Sequence, residues 1–298
     1  MSKPFSFIPL LKTQLHKINN ANLRGVINLR IEVLNAIHIS KDSYDINDSN
    51  VIYKEFYKIG DNYAIPGTSI KGMIRSVAEM VSYSCISKTR DTERNIPTYK
   101  NKPCIAGRYI KNTYEPNDIC IICDIFGAMG KKSKIKISNF IHDKATGKAD
   151  ILGLPELKEP HANVAHIYLN ENGKFNGYKI YNHGIQSILK TGNYKCECLK
   201  DGAIFKGHII YENLDEEELQ LLCYSLGLAN DFNHKIGYGK PAYYGSIKVS
   251  TDNYEYVKKA NEYINNAQKD IKQNIGLLEK NYSYKNAKKH PDYEEASY

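Results

Sequence analysis

The chain has 298 residues, enough for one large domain or a domain with sizeable insertions, and its 41 lysines and arginines outnumber its 33 aspartates and glutamates. The net charge of +8 favours a polyanionic partner, and 24 tyrosines offer faces for stacking on bases, although this composition also fits an AT-rich genome. No apolar run reaches the roughly 18 residues of a membrane span, and residues 1–20 lack the layout of a signal peptide, so a cytoplasmic protein without a membrane partner is expected.

The first sixty residues predict two strands separated by a polar loop. Residues 1–22 show no period and predict an irregular lead-in, whereas apolar and polar residues alternate over 23–38, as in a half-buried strand. A short strand is also predicted over residues 51–59. The intervening loop, residues 40–50, carries three acids: Asp42, Asp45 and Asp48.

The stretch Ile65–Arg75, with the sequence IPGTSIKGMIR, predicts a turn that leads into a helix. After the proline–glycine turn, Thr68 or Ser69 can cap the helix, which is predicted to end near residue 84. Lys71 and Arg75 are four residues apart and share one face, so the helix start suits a phosphate chain. The alternative is an ordinary amphipathic helix with a solvated basic edge. The apolar stripe of this helix has helical spacing: Ile70, Ile74, Val77 and Val81.

The cysteines, seven and therefore odd in number, indicate free thiols or a metal site rather than a disulfide framework. Residues 88–118 predict a loop-rich insertion, which zinc could order by supplying folding energy. Two residues separate Cys120 from Cys123, which lets both thiolates reach one tetrahedral ion. The alternatives are a buried strand through the two isoleucines between them, or a redox pair, which lacks the expected βαβ context. The predicted ligands are Cys104, Cys120 and Cys123, with Cys85 or a histidine such as His142 or His161 as the fourth.

The middle of the chain predicts a short strand over residues 135–140 and then a hairpin arm within residues 143–200. Residues 166–169 and 178–181 are predicted to pair, because Asn172-Gly173 between them is a hairpin signal. Such an arm could reach across a bound strand or a neighbouring subunit, or it could be an ordinary surface hairpin.

The second half predicts a strand over residues 203–212, followed by a helix to about residue 229. Asp215 and Glu218 form a capping-box pattern at the start of this helix. A glycine-rich stretch, His234–Gly245, precedes a last strand over residues 246–250. It lacks the residue order of a P-loop, but glycines let backbone N–H groups face an anion, and two lysines add charge. The candidate residues of this loop are Lys235, Gly237, Gly239, Lys240 and Gly245.

The order strand, helix, strand, strand, helix, strand predicts an α+β protein with a ferredoxin-like or RRM-like core, βαββαβ. This domain is predicted over residues 1–250, with insertions at about 86–130 and 143–200. A C-terminal helix is predicted over residues 251–280, and a polar, disordered tail over 281–298.

The combination of these motifs resembles the RAMP superfamily (repeat-associated mysterious proteins) of CRISPR RNA-guided effector complexes. The resemblance covers roughly residues 24–250 and rests on Ile65–Arg75 and on the glycine-rich stretch His234–Gly245. The segment Cys120–Gly127 is similar to the zinc-knuckle and Phe-Gly element in backbone subunits of type III complexes. One departure is Tyr243, where relatives often have another glycine.

The resemblance implies a palm that holds the guide RNA (crRNA), with copies of the protein stacking along it beside other effector subunits in antiviral defence. Ser69, Lys71 and Arg75 match the helix that faces the guide phosphates, and the glycine-rich loop would line the same groove. In target-cleaving subunits a loop aspartate cuts target RNA, usually with Mg²⁺ or another divalent metal, and Asp48 matches that position, with Asp45 next. The alternatives are a non-cleaving structural or capping subunit, and a metal-independent endoribonuclease that processes repeat RNA with His38 as base.

Overall fold

Five helices and sixteen strands form several sheets in the computed structural model, which describes residues 3–17, 21–86, 96–97, 104, 108–110, 113–115, 119–128, 130–154, 157, 166–185 and 194–287. The α+β class predicted from the sequence is confirmed. The strands are β1 (Phe5–Ile8), β2 (Leu23–Val33), β3 (Ser40–Ile46), β4 (Ile52–Phe56), β5 (Lys58–Ile59), β6 (Asn62–Ile65), β7 (Arg108–Ile110), β8 (Thr113–Glu115), β9 (Ile135–Ile137), β10 (Phe140–His142), β11 (Ala149–Leu154), β12 (Tyr178–Tyr181), β13 (Tyr194–Leu199), β14 (Ile204–Leu214), β15 (His234–Lys235) and β16 (Ser246–Ser250). The helices are α1 (Gly67–Met80), α2 (Ile121–Phe126), α3 (Glu216–Ser225), α4 (Tyr254–Asn266) and α5 (Lys269–Asn281).

The main sheet has the order β15-β16-β2-β14-β10-β6-β5, and β9 also pairs with β14. Long antiparallel ladders join β2 to both β14 and β16, with Ile31 opposite Phe205 and Val249. One face of β2 is buried, as its alternation predicts, and it shares a core with the apolar stripes of α1 and α3. This core fixes where α1 and the glycine-rich loop lie.

A second sheet, β11-β13-β4-β3, carries an exposed hairpin. The prediction of a loop over residues 40–50 is wrong for its first part, because β3 pairs with β4 and only residues 47–51 form the turn. Most side chains of β3 are exposed on both faces, so its sequence has no alternation of apolar and polar residues. Pairing along the backbone, which no side-chain pattern reports, makes it a strand.

The lead-in and the predicted arm also differ from expectation. Residues 1–22 contain β1, which pairs antiparallel with β12. The predicted pairing of residues 178–181 with residues 166–169 is therefore wrong. The turn at Asn172-Gly173 does form, since Gly173 N donates to Asn170 O and Leu169 bridges Phe175. The strand after the turn, β12, therefore pairs with the N-terminal strand β1 and not with residues 166–169.

Helix α1 begins at Gly67, before either of the predicted cap residues. Pro66 is the N-cap residue, and neither Thr68 nor Ser69 caps the helix with its side chain. Instead, the Gly67 N–H donates to Oδ1 of Asn139 at 3.0 Å, so a residue from another element satisfies the first orphan donor. A Cβ at position 67 would overlap the carbonyl oxygen of Ile137, which is why the helix starts with glycine.

The C-terminal segment forms two helices and not the one helix predicted over residues 251–280. The extended backbone of Ala267 and Gln268 separates α4, which packs on α3, from α5, which contacts β1. Order continues beyond residue 281, because Tyr282 is buried and stacks on Phe232 with ring centroids 6.2 Å apart. Residues 288–298 of the predicted disordered tail lie outside the described residues. No helix in the described part of the chain is long and apolar enough to span a membrane.

The N-terminal segment is tied to the rest of the protein near the start of α3. Gln14 N donates to Tyr83 O, and His16 N donates to Ile119 O, both at 2.9 Å. The ring of His16 contacts Asp215 with Nε2 2.9 Å from Oδ2. Asp215 is also the N-cap of α3, and the capping box predicted from the sequence is confirmed.

Replacing His16 by Gln should reduce stability in a pH-dependent way. Burial disfavours the charged ring, but the hydrogen bond and charge of Asp215 outweigh it and raise the pKa of His16 above its ordinary value. The contribution of a group with a raised folded-state pKa is complete below its unfolded pKa of about 6.5 and is lost as pH rises through the folded-state value. The difference in Tm between the protein and His16→Gln should therefore be largest in mild acid and shrink above neutral pH. The same measurement on His208→Gln, which replaces a half-buried histidine on β14, is the control.

Candidate functional site

Four cysteines come together where the end of α1 meets the start of α2. The sulfur atoms of Cys85, Cys104, Cys120 and Cys123 all lie within 4.8 Å of one another. Cys85 Sγ is 3.5 Å from Cys123 Sγ and 3.8 Å from Cys120 Sγ. The two isoleucines between Cys120 and Cys123 belong to α2 and not to a strand.

This cluster has the chemistry of a tetrahedral thiolate site. Four thiolates around zinc hold their sulfur atoms about 3.8 Å apart, given a Zn–S distance of about 2.3 Å. Backbone donors already point at two sulfurs: Cys120 N donates to Cys104 Sγ at 3.1 Å, and Cys85 N donates to Cys120 Sγ at 3.4 Å. Hydrogen bonds from the neighbouring thiols, foremost that of Cys104, lower the pKa of Cys120, whereas the same neighbours raise the pKa of Cys123.

Cys85 is the residue that completes the predicted set. Of the histidine alternatives, His142 lies between the rings of Tyr63 and Phe205, and its Nε2 bonds to the carbonyl of Thr146 at 2.7 Å. His161 lies outside the described residues. The four sulfurs therefore account for a full tetrahedral donor set without a histidine.

A network of buried charges holds α2 against α3, and the sequence did not predict it. Lys134 Nζ lies 2.7 Å from Asp124 Oδ2 and 2.8 Å from Glu218 Oε2, and Lys131 Nζ lies 2.8 Å from the other Asp124 oxygen. Burial raises the pKa of Glu218 to about 7 against the opposing effect of Lys134. His16 is also close enough to share a metal with these two acids. The two lysines already supply the cations, so this group has no need of one.

A cavity of about 410 Å³ lies between α1, β12 and the glycine-rich loop, and we call it the cationic cavity. Ser69, Gly72 and Ser76 line it from α1, so small and hydroxyl-bearing residues form that wall. Among its described lining residues no side chain is acidic. Three lysines line it: Lys179, Lys235 and Lys240.

Lys235 is the most unusual of these lysines, because its ammonium is buried. The residue is 5% exposed, and its Nζ has no hydrogen-bond partner among the described residues. The centre of the Tyr243 ring lies 5.7 Å from Nζ. Burial, with a smaller effect of the Lys240 charge, holds the pKa of Lys235 well below its ordinary value.

Lys179 was missed by the sequence analysis, which placed it in an arm. Its Nζ lies 4.2 Å from the centre of the Phe5 ring and 4.8 Å from that of Tyr181. Burial lowers the pKa of Lys179 to about 8. No local pattern could have found it, because β12 reaches the cavity only through its pairing with β1.

The glycine-rich loop has the positive φ angles that the sequence predicted, but several N–H groups that were expected to face an anion donate within the protein, among them those of Tyr238 and Gly245. Gly237 and Gly245 have φ of +85° and +80°, and a Cβ would overlap the carbonyl oxygen of His38 at the first and of Ile236 at the second. Tyr243, where the resemblance led us to expect a glycine, adopts φ of +64°, the left-handed conformation that glycine favours. Gly239 and Gly245 shape the loop but do not line the cationic cavity.

The cations of the α1 motif lie elsewhere. Lys71 and Arg75 are not among the residues lining the cationic cavity, which the Ser69–Ser76 side of α1 faces. Arg75 instead pairs with Glu79 at 3.0 Å and donates to the carbonyl of Gly127 at 3.0 Å. Burial, assisted by the Arg75 charge, lowers the pKa of Lys71. The structure thus brings Ser69, Lys235, Gly237 and Lys240 together and separates Lys71 and Arg75 from them.

The acids proposed for cleavage lie on the β3–β4 hairpin, away from the residues that line the cationic cavity. Asp45 accepts hydrogen bonds from Ile46 N at 2.8 Å and from the Tyr53 hydroxyl at 3.1 Å, which lower its pKa. Asp48 is exposed in the turn and forms no hydrogen bond or ion pair within the described chain. Asp48 is therefore the acid with free oxygens.

His38, the candidate base, is fully buried. Its Nδ1 bonds to the carbonyl of Glu197 at 2.7 Å, and burial lowers its pKa. Its ring packs edge-on against Phe56 and Tyr238. An RNA hydroxyl cannot reach this ring without rearrangement of the core.

The model of one protein family, described as the RAMP superfamily, matches residues 30–248. The matched region includes α1, the cysteine cluster, the glycine-rich loop and most of β16. A search of curated proteins finds no match.

Proposed function

The chain belongs to the RAMP superfamily, and on that premise we propose that it is a guide-RNA-binding backbone subunit of a type III-like CRISPR effector complex. Its partners in this role are the guide RNA, complementary target RNA, other effector subunits and further copies of itself. The guide and not the protein would select the target sequence.

The cationic cavity is the observation that carries this proposal. A buried ammonium without an acidic partner is unfavourable, and a phosphate that entered the cavity would provide the missing charge and hydrogen-bond acceptors. Ser69, Ser76, Lys179 and Lys240 line the same space. This combination favours a phosphodiester over a neutral ligand.

The strand order supports a ferredoxin-like core. If β2, β10, β14 and β16 are its four strands, their order in the sheet is fourth, first, third, second, with all neighbours antiparallel. Helices α1 and α3 then follow the first and third strands. We assign this core to a domain over residues 1–250, in which β7 and β8 lie in the first insertion and β11, β12 and β13 in the second.

Zinc is proposed for the cysteine cluster, with Cys85, Cys104, Cys120 and Cys123 as its ligands. The all-thiolate set is typical of structural zinc, which contributes folding energy and no reaction chemistry. The residues present would keep the ion closed off from substrate, since three of the four are buried.

Magnesium does not fit the hairpin in the same way. Both oxygens of Asp45 already accept hydrogen bonds, which leaves Asp48 as a single carboxylate. A single carboxylate holds magnesium only together with water and substrate phosphates. We therefore assign to Asp48 itself the role of orienting a 2′-hydroxyl of target RNA and accepting its proton.

The first test is to purify the chain from its host or a co-expression strain and to sequence the RNA bound to it at low salt, where phosphate contacts are strongest. Short RNAs of uniform length with a common repeat-derived end are the expected result. Absence of bound RNA under these conditions would overturn the proposal.

Replacing Asp48 by Ala should reduce target cleavage by the assembled complex about 100-fold or more, since general base catalysis typically contributes 10²–10⁴-fold. Guide binding should not change, because Asp48 does not line the cationic cavity. Asp61→Ala, which removes an exposed acid in the turn before β6, is the matched control. Unchanged cleavage by both Asp48→Ala and Asp45→Ala would leave the alternative, a non-cleaving structural or capping subunit.

A further inference from the structure

One face of the β3–β4 hairpin carries exposed aromatic rings around a lysine. Tyr44 is 61% exposed and lies opposite Lys54 in the strand register. The Nζ of Lys54 is 5.7 Å from the centre of the Tyr44 ring and 5.4 Å from that of Tyr238, which is 38% exposed. We call these three residues, Tyr44, Lys54 and Tyr238, the tyrosine face.

The acids that directly follow Tyr44 and Lys54 in the hairpin strands are directed to the other side. Side chains alternate across a strand, so Asp45 and Glu55 project opposite to Tyr44 and Lys54. Their contacts agree with this: Asp45 accepts from the Tyr53 hydroxyl, and Glu55 pairs with Lys41. The tyrosine face therefore combines aromatic surface with a positive charge, and the neighbouring carboxylates of Asp45 and Glu55 face away from it.

The tyrosine face is continuous with the cationic cavity through the chain itself. Tyr238 follows Gly237 and comes two residues before Lys240, and both of these residues line the cavity. The ring of Tyr238 packs edge-on against the buried ring of His38, with ring centroids 6.4 Å apart. One short stretch of loop thus presents cavity-lining groups and an exposed ring.

We propose that the tyrosine face is a stacking platform for unpaired bases of single-stranded RNA. A phosphate in the cationic cavity places the next nucleotides beside Tyr238, where the ring faces of Tyr238 and Tyr44 bind bases of any identity. The Lys54 ammonium lies between the rings and adds charge where the RNA backbone passes. This inference rests on the proposed function, because it concerns the same RNA that the cavity binds.

The test compares two probes of equal length on the full chain: oligoadenylate RNA and an abasic ribose-phosphate oligomer. Tyr44→Ala and Tyr238→Ala should each weaken oligoadenylate binding about tenfold, as expected for the loss of one stacked base. Neither change should alter the affinity for the abasic oligomer, which offers phosphates but no bases. Tyr44→Phe and Tyr238→Phe keep the ring and should bind both probes as the unchanged protein does.

Two further variants separate this inference from the proposed function. Lys240→Ala should weaken both probes equally, because it removes a phosphate contact. Tyr254→Ala, which removes an exposed tyrosine of α4, should change neither. If the unchanged protein binds oligoadenylate and the two tyrosine-to-alanine variants bind it equally well, the stacking platform is wrong while RNA binding stands, and a protein-docking role for the patch is favoured. If the unchanged protein binds neither probe, both proposals fail.

Discussion

Removal of zinc by a chelator is expected to lower the Tm of this protein by more than about 10 °C. Structural zinc contributes on the order of 10 kcal/mol to the folding of small zinc domains. In a protein of this size, each kcal/mol of stability shifts Tm by about 2–4 °C. The cause lies in what the cluster connects. Cys85 follows α1, Cys104 lies in the insertion, and Cys120 and Cys123 flank the first turn of α2. Without the ion, four thiols crowd one site, and the bond from Arg75 to the carbonyl of Gly127 remains as a link between α1 and the end of α2.

The measurement is thermal unfolding with and without chelator, together with metal analysis of the purified chain. Cys120→Ala should abolish zinc binding and reproduce the low Tm. Cys223→Ala is the matched control, because that thiol is equally buried but lies in α3 outside the cluster. If the two variants have the same Tm and the chelator changes neither value, the cluster is four packed thiols and the zinc proposal is wrong.

The parts of the fold that sequence reasoning predicted are those in which burial and local chemistry coincide. One face of β2 is buried, and so the alternation of apolar and polar residues in its sequence predicted the strand. The same holds for the residues of β14 that face the core. At α3 the capping box is contained within four residues, so no distant contact is needed to predict it.

The parts that were missed depend on contacts distant in sequence. β3 is exposed on both faces, and β1 is a strand only because β12 lies beside it. The start of α1 depends on Asn139, which is far away in the chain. The break between α4 and α5 likewise follows from packing on different elements, α3 and β1, and the apolar stripe runs through it unchanged.

The candidate site divides along the same line. The two motifs predicted to share a ligand do meet, at the cationic cavity, because the core of the main sheet places α1 beside the glycine-rich loop. Which side of α1 faces the cavity depends on helix packing, and so Lys71 and Arg75 were expected there in place of Lys179. The burial of Lys235 could not be predicted, because Tyr282 from the C-terminal segment covers it and accepts its backbone N–H at 3.0 Å.

Replacing Lys235 by Met is expected to stabilise the protein by about 1–3 kcal/mol, because it removes the cost of one buried polar group without a partner. The same replacement should weaken RNA binding about tenfold or more. Methionine fills a similar volume without the amine, and the backbone bond to Tyr282 is kept. A lysine whose folded-state pKa is lowered binds its proton more tightly in the unfolded chain. The gain in stability should therefore be greatest at low pH and shrink as pH rises toward the ordinary lysine pKa of about 10.4.

The opposite signs of these two effects separate a ligand site from a structural role. If Lys235 only supports the fold, its replacement should lower stability and RNA affinity together. If Lys235 binds a phosphate of the RNA, its amine takes up a proton when the RNA binds. The RNA affinity of the unchanged protein should therefore fall as pH rises. This pH dependence should be smaller in Lys235→Met. Lys248→Met, at an exposed position of the neighbouring β16, is the control and should change neither stability nor the pH dependence of binding. A Lys235→Met protein that is more stable and still binds guide RNA with full affinity would show that the phosphates lie outside the cationic cavity.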